Sequence, residues 1–111
     1  SSQGRLVTRG EIWWGQFSPP TGNRPVVLVS RTSAYQQRDW YIVVPVTTRA
    51  RGIPAEVSLG SSEGLRKVSV ANCDSLLMAS RRALVHRLGA LQGSKLAELD
   101  EALRFALGLD S

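Results

Sequence analysis

At 111 residues, with fourteen Lys+Arg against nine Asp+Glu and a net charge of +5, the chain allows one domain and leaves no room for a second. One Cys and one His exclude an internal disulfide framework and a structural zinc site within one chain, and also the paired-imidazole device of familiar ribonucleases unless a second subunit supplies an imidazole. No apolar run approaches the roughly 18 residues of a membrane span and no signal peptide is visible, so a cytoplasmic protein is expected.

Twelve of the fourteen cations are Arg, whose planar fork grips phosphate and stacks on bases better than Lys does. The bias leans towards an RNA or DNA ligand, although a basic domain with scattered surface Arg has the same totals. The charge is uneven. Residues 1–92 hold twelve cations and five carboxylates, a net +7, whereas residues 93–111 hold two and four, a net −2.

In chain order, residues 1–8 read as a disordered or tag-like N-terminus and residues 9–111 as the domain. Gly10 to Phe17 suits a strand. Its adjacent Trp13 and Trp14 must point to opposite faces, so one should face a partner or a ligand groove. Ser18 to Asn23 is a turn by its Pro, Gly and Asn content. Pro25 to Ser30 is nearly all apolar and is expected to be buried on both faces. Arg31 to Asp39 reads as a polar loop.

Trp40 to Thr47 (WYIVVPVT) has the strongest strand pattern, with Pro45 marking an edge, a bulge or a strand end because it donates no ladder bond. Arg49 to Gly52 is a basic turn, and Ile53 to Leu59 is a further strand with Glu56 on its wet face. Gly60 to Gly64 is a loop. Lys67 to Met78 reads as one long or bent strand interrupted at Asn72-Cys73-Asp74. Ser80 to Ala83 is a turn and Val85 to Leu91 a last strand. Then the period changes. Leu96, Leu99, Leu103 and Leu107 recur at helical steps, predicting an amphipathic helix capped by Ser94 and ended at Gly108. About six short strands before one helix, with no βαβ alternation, predict a mainly β fold. The best fit is a small SH3-like antiparallel barrel with the C-terminal helix packed on it.

Arg9-Gly10-Glu11-Ile12-Trp13-Trp14, Ser18-Pro19-Pro20, Arg24-Pro25-Val26-Val27-Leu28-Val29 and Val43-Val44-Pro45-Val46-Thr47-Thr48 follow one another in a distinctive order. That order resembles the MazF/PemK (Kid) family of toxin endoribonucleases. The likeness continues through Pro54-Ala55-Glu56-Val57, Asn72-Cys73-Asp74 and Leu99-Asp100-Glu101-Ala102-Leu103, so it covers residues 9–109. The ordered set is what is specific, since its single strings are common. The resemblance implies a homodimer of CcdB/MazF-like architecture that cuts single-stranded RNA (messenger, transfer or ribosomal) without metal or cofactor, arresting translation and growth. It also implies a cognate acidic antitoxin laid along the dimer groove. Carried across by position, Arg24 matches the family's catalytic Arg and Thr47 its catalytic Thr. Asp74 matches the Asp that one branch of the family uses as a base.

Residue chemistry agrees with those roles. Cleaving RNA through its own 2′-hydroxyl requires deprotonating that group, stabilising a pentavalent phosphate and protonating the departing 5′-oxygen. Arg24 is always charged and suits the developing phosphate charge better than the part of acid. Thr47 offers a hydroxyl to a phosphoryl oxygen or to the 2′-hydroxyl. Asp74 accepts the 2′-proton if a partly dry groove raises its pKa, and loses that ability if it pairs openly with Arg24. Such a site lacks a matched acid–base pair, so slow turnover is expected.

The turn before Arg24 is shorter than the family's and holds no His, which places Gly22 or Asn23 roughly where one branch has an imidazole. Asn72 stands where the Asp-using branch has Arg. Both departures favour Arg24 with Thr47. Trp13 is the candidate stacking platform. Pro19, Gly22, Asn23, Thr48, Arg49 and Arg81 are further candidate RNA contacts, with Arg51 and Arg82 as additional phosphate ligands. His86 and Cys73 read as structural. Two other readings stand beside this one: a CcdB-like gyrase poison, and an SH3-like nucleic-acid-binding module that cuts nothing. The first relies on an aromatic helix end, which Leu107-Gly108-Leu109-Asp110-Ser111 lacks.

Overall fold

The structure, a computed structural model, describes residues 7–109. Of the N-terminus expected to be disordered, residues 1–6 lie outside the described residues. Val7 packs half-buried against the core, and the Thr8 carbonyl accepts the Glu11 N–H at 3.3 Å.

The β-branched and aromatic runs form β1 (Glu11–Gly15) and β2 (Arg24–Leu28), then, after the one-turn helix α1 (Ala34–Gln37), β3 (Trp40–Thr47). Four shorter strands follow, β4 (Glu56–Leu59), β5 (Ser69–Asn72), β6 (Leu77–Ser80) and β7 (Leu84–Ala90), and helix α2 (Ser94–Leu107) comes last. Among the described residues there are thus seven strands where about six were expected. The segment read as one bent strand breaks at a 3-10 turn, Cys73–Ser75, and its halves β5 and β6 pair with different ends of β3.

All ladders among the described residues are antiparallel, in the order β4-β5-β3-β2-β1-β7 with β6 also on β3. The sheet divides at β3. On one side Trp40 to Val43 pair with β6 while Val46 and Thr47 pair with β5; on the other side β3 pairs with β2. Pro45 sits at the handover. The main chain of Ile42 faces β2, since its carbonyl accepts from Val29 and its N–H donates to Ser30 Oγ. Alternation then turns the Pro45 nitrogen to the other side, into the gap between Val43 and Val46 where no ladder bond is required. This split curls the sheet into a half-barrel, with α2 packed against it.

Alternation also sorts β2 between two cores, as expected for a run buried on both faces. Val27 packs with Ile12, Val44, Val57, Cys73 and Leu99, whereas Val26 and Leu28 pack with Trp13, Tyr35, Tyr41, Val43 and Leu84. The segment expected to be a polar loop contributes α1, with Ala34 and Tyr35 buried. One turn is too short to show a helical period. What holds it is tertiary: Tyr35 donates its hydroxyl to the Ser30 carbonyl at 2.9 Å and meets Tyr41 edge-on, ring centroids 4.8 Å apart.

Helix α2 begins one residue earlier than a Ser94 cap would place it. Gly93 holds the cap position at φ +55°, and Ser94 is the first helical residue. The helix ends as expected at Gly108, left-handed at φ +70°, where Gly108 and Leu109 N–H groups return to the Phe105 and Arg104 carbonyls. Its buried face runs Leu96, Leu99, Ala102–Leu103 and Ala106. Leu107, expected on that face, is 55% exposed, because the step after Leu103 that stays on the stripe is three residues. Among the described residues no helix is long and apolar enough to cross a membrane.

Candidate active site

The register of the central strands brings the two strongest candidates together. Val26 lies opposite Pro45 in the β2–β3 ladder, so continuing the antiparallel register by two residues sets Arg24 opposite Thr47. Both line a cleft of about 240 Å³ whose other walls are Pro45, Arg49, Arg51, Asn72 and Ser75. Three arginines thus share a lining that contains no carboxylate. Arg24 is half-buried and tethered by Nε, which donates to the Thr21 carbonyl at 3.0 Å. The Thr47 hydroxyl accepts the Arg49 N–H at 3.2 Å, which leaves its own proton to donate elsewhere.

The basic turn is held open by one carboxylate. Glu56 accepts the Arg51 N–H at 3.0 Å and the Gly52 N–H at 2.9 Å, folding back onto the turn from its half-buried position on β4. The arginine side chains are left to the cleft.

Asp74 does not join them. Asn72 Oδ1 accepts the Asp74 N–H at 3.0 Å and starts the 3-10 turn, and Asn72 Nδ2 donates to Ser75 Oγ at 3.3 Å. In a 3-10 turn side chains three apart eclipse, so Asn72 and Ser75 share the cleft face while Asp74 is exposed and lies outside the lining. Between them Cys73 is 1% exposed, and burial, followed by the nearby Asp74 charge, pushes its thiol up to about 11. It is a packed side chain and not a nucleophile.

The other candidate contacts separate. Trp13 is 4% exposed in the second core, its indole N–H donating to Glu11 Oε1 at 3.0 Å, so it cannot offer a ring to a base. The outward tryptophan is Trp14. Arg81 adjoins Ser80, which pairs with Trp40, and so sits at the end of β3 away from Thr47. Seven residue-to-residue steps of strand separate the two ends, about 23 Å. Arg81 Nε donates to the Tyr41 hydroxyl at 3.1 Å, a bond that raises its pKa and ties it to the Tyr35–Tyr41 pair. Pro19, Gly22 and Asn23 form the β1–β2 turn and line neither the cleft nor the larger cavity beside it.

That larger cavity, about 620 Å³, opens on the opposite face of Arg24-Pro25 and Val46-Thr47, and it includes Thr48. Trp14 is paired with Pro25 on β2 and with His86 on β7, so the three share one face of the sheet. Arg66 and Lys67 complete its rim. Their segment is pressed against a bulge of β7: a Cβ at Gly64 would overlap the Leu88 carbonyl, and one at Gly89 would overlap the Glu63 carbonyl. Only glycine at both positions allows the approach.

A family model for PemK-like, MazF-like toxins of type II toxin–antitoxin systems matches residues 8–107. The chain belongs to this toxin family. Probable endoribonuclease MazF5 of Mycobacterium tuberculosis is 37% identical over 103 residues, 92% of this chain and 94% of the relative. The solved Mycobacterium tuberculosis toxin MazF-mt6 superposes with a TM-score of 0.83 at 30% identity, over 91% of this chain and 99% of that one. A mycobacterial endoribonuclease solved in complex with its cognate antitoxin gives 0.84 at 26% identity, over 95% and 98%.

Sequence reasoning did not single out Ser75, which lines the cleft, or Trp14, His86, Arg66 and Lys67, which line the larger cavity. A local signal existed for Ser75, since Asn72 followed by Asp74 and Ser75 is an Asx-turn string that sets positions three apart on one side. None existed for Trp14 with His86, which lie 72 positions apart and meet only through the β1–β7 register. His86, read as structural, is exposed on the cavity wall.

Proposed function

We propose that the chain is the toxin of a type II toxin–antitoxin pair and acts as an endoribonuclease on single-stranded RNA in the cytoplasm. The observation that supports this is that Arg24 and Thr47 line one cleft together with Arg49 and Arg51, and that no carboxylate lines it. In the reaction the 2′-oxygen attacks the adjacent phosphorus, the P–O5′ bond breaks, and a cyclic phosphate and a 5′-hydroxyl result. Arg24, with Arg49 and Arg51, stabilises the charge that accumulates on the phosphoryl oxygens. The Thr47 hydroxyl donates to one of those oxygens or aligns the 2′-hydroxyl. With no imidazole or carboxylate in the lining, both proton transfers pass to water, and turnover is slow.

The same cationic cleft suits an acidic antitoxin segment, which would compete with RNA for it. The toxin works as a homodimer, and its targets are messenger, transfer or ribosomal RNA. Neither a gyrase poison nor a decayed binding module is favoured by the family's composition of endoribonuclease toxins.

The test is cleavage of a single-stranded RNA in excess chelator with end-group mapping. Products ending in a cyclic phosphate and a 5′-hydroxyl are expected, and a 2′-deoxy substitution at the cut should abolish the reaction. Continued cutting of the deoxy substrate would overturn the mechanism.

A further inference from the structure

The cavity beyond Thr47 takes no part in the chemistry above, and its lining is of two kinds. One wall is apolar and includes a flat indole, Trp14, with Pro25 and Leu88; the rim carries Arg66, Lys67 and His86. No carboxylate lines it. Thr47 lines this cavity and the arginine cleft alike, so the two open on either side of one strand end, and a strand of RNA crossing that end meets both. A nucleobase offers the matching chemistry: an apolar face for an aromatic ring, a polar edge, and an attached anion.

We infer that this cavity seats the nucleobase adjoining the scissile phosphate. Trp14 is its stacking platform and His86 reads its edge, with Arg66 and Lys67 holding the neighbouring backbone phosphate. The inference rests on the RNA-cleaving reading and adds which residues select the cut site. A second copy of the chain is a poorer occupant. Across a two-fold axis the same patch meets itself, which would gather two sets of Arg66 and Lys67 around a lining with no carboxylate to neutralise them.

Cut sites are first mapped on a long single-stranded RNA with the unaltered protein. Trp14→Ala should then raise KM about tenfold, as expected for loss of one stacked base, while Trp14→Phe, which keeps a ring, should restore most of it. His86→Ala should cut at a broader set of sequences. Binding is read separately with an oligonucleotide made uncleavable by a 2′-deoxy nucleotide at the mapped cut. In a Trp40→Phe background, which removes the exposed indole at the other end of β3, RNA should quench the remaining fluorescence, and adding Trp14→Phe should abolish the quenching.

Trp14→Ala and His86→Ala proteins that keep the original KM and cut sites would overturn the inference and leave the enzyme reading intact. Dissociation of Trp14→Ala into monomers during sedimentation, with cleavage lost in parallel, would also overturn it by showing that a second copy covers the indole. An unaltered protein that cuts no RNA removes the underlying reading itself.

Discussion

Thr47 accepts a backbone N–H and keeps its proton free, beside a guanidinium whose stem is tied to the Thr21 carbonyl. Removing that hydroxyl without changing shape, as Thr47→Val does, should lower kcat about 100-fold, the usual cost of one donor to a developing oxyanion. Arg24→Lys should lose at least as much, because an ammonium cannot reproduce the fork, and single-turnover cleavage reads both. Asp74→Asn makes the opposite prediction. Its carboxylate lies outside the cleft lining, so cleavage should stay within about twofold of the unaltered protein. A large loss there would restore the base role that the 3-10 turn denies it. Burial raises the Cys73 thiol from 9.0 to about 11, so the protonated form is favoured in the fold. The associated stability is intact below the unfolded value and falls as pH climbs from 9.0 towards about 11. Thiol labelling at pH 8 should therefore be negligible in the native protein and complete in denaturant.

At the scale of elements, α2 tests how a buried stripe is set. Leu99 is fully buried against the first core, whereas Leu107 is 55% exposed, although both recur at helical steps. Leu99→Ala should cost about 2–5 kcal/mol and Leu107→Ala under about 0.5 kcal/mol, read from urea unfolding midpoints. The amphipathic period was plain in the amino acids, yet it did not say where the stripe leaves the core. The same limit applies to α1, where an Ala-Tyr pair buried by Ser30 and Tyr41 lies within a polar stretch. Strands with dense β-branched residues, β2 and β3, were legible to within a residue or two. The Lys67–Met78 segment was legible as extended chain with a break, but its division between two ends of β3 depended on partners elsewhere in the fold.

For the whole molecule, the uneven charge becomes a prediction about binding. Arg24, Arg49 and Arg51 come from two separate segments and meet in one cleft. If each engages an RNA phosphate, log K for single-stranded RNA should fall with log salt, and Arg49→Ala or Arg51→Ala should each flatten that slope by about 0.7. Fluorescence anisotropy across a salt series measures it. An unchanged slope would mean these side chains remain solvated beside the bound strand.

Composition, the order of strand runs and the closing helical period determined the fold class by themselves, because burial of alternating or helically spaced apolar residues needs only local pattern. Arg24 and Thr47 were singled out by the resemblance to the toxin family and not by any local pattern, and the structure sets both in the lining of one cleft. Only the tertiary structure decided that Trp13 is core and Trp14 half-buried on a cavity wall, that Asp74 turns out of the cleft, and that His86 stands beside Trp14. Each of those depends on register, on the eclipsing of a single 3-10 turn, or on which face a second layer covers. A one-residue shift in any of them exchanges inside for outside, and no local pattern records it.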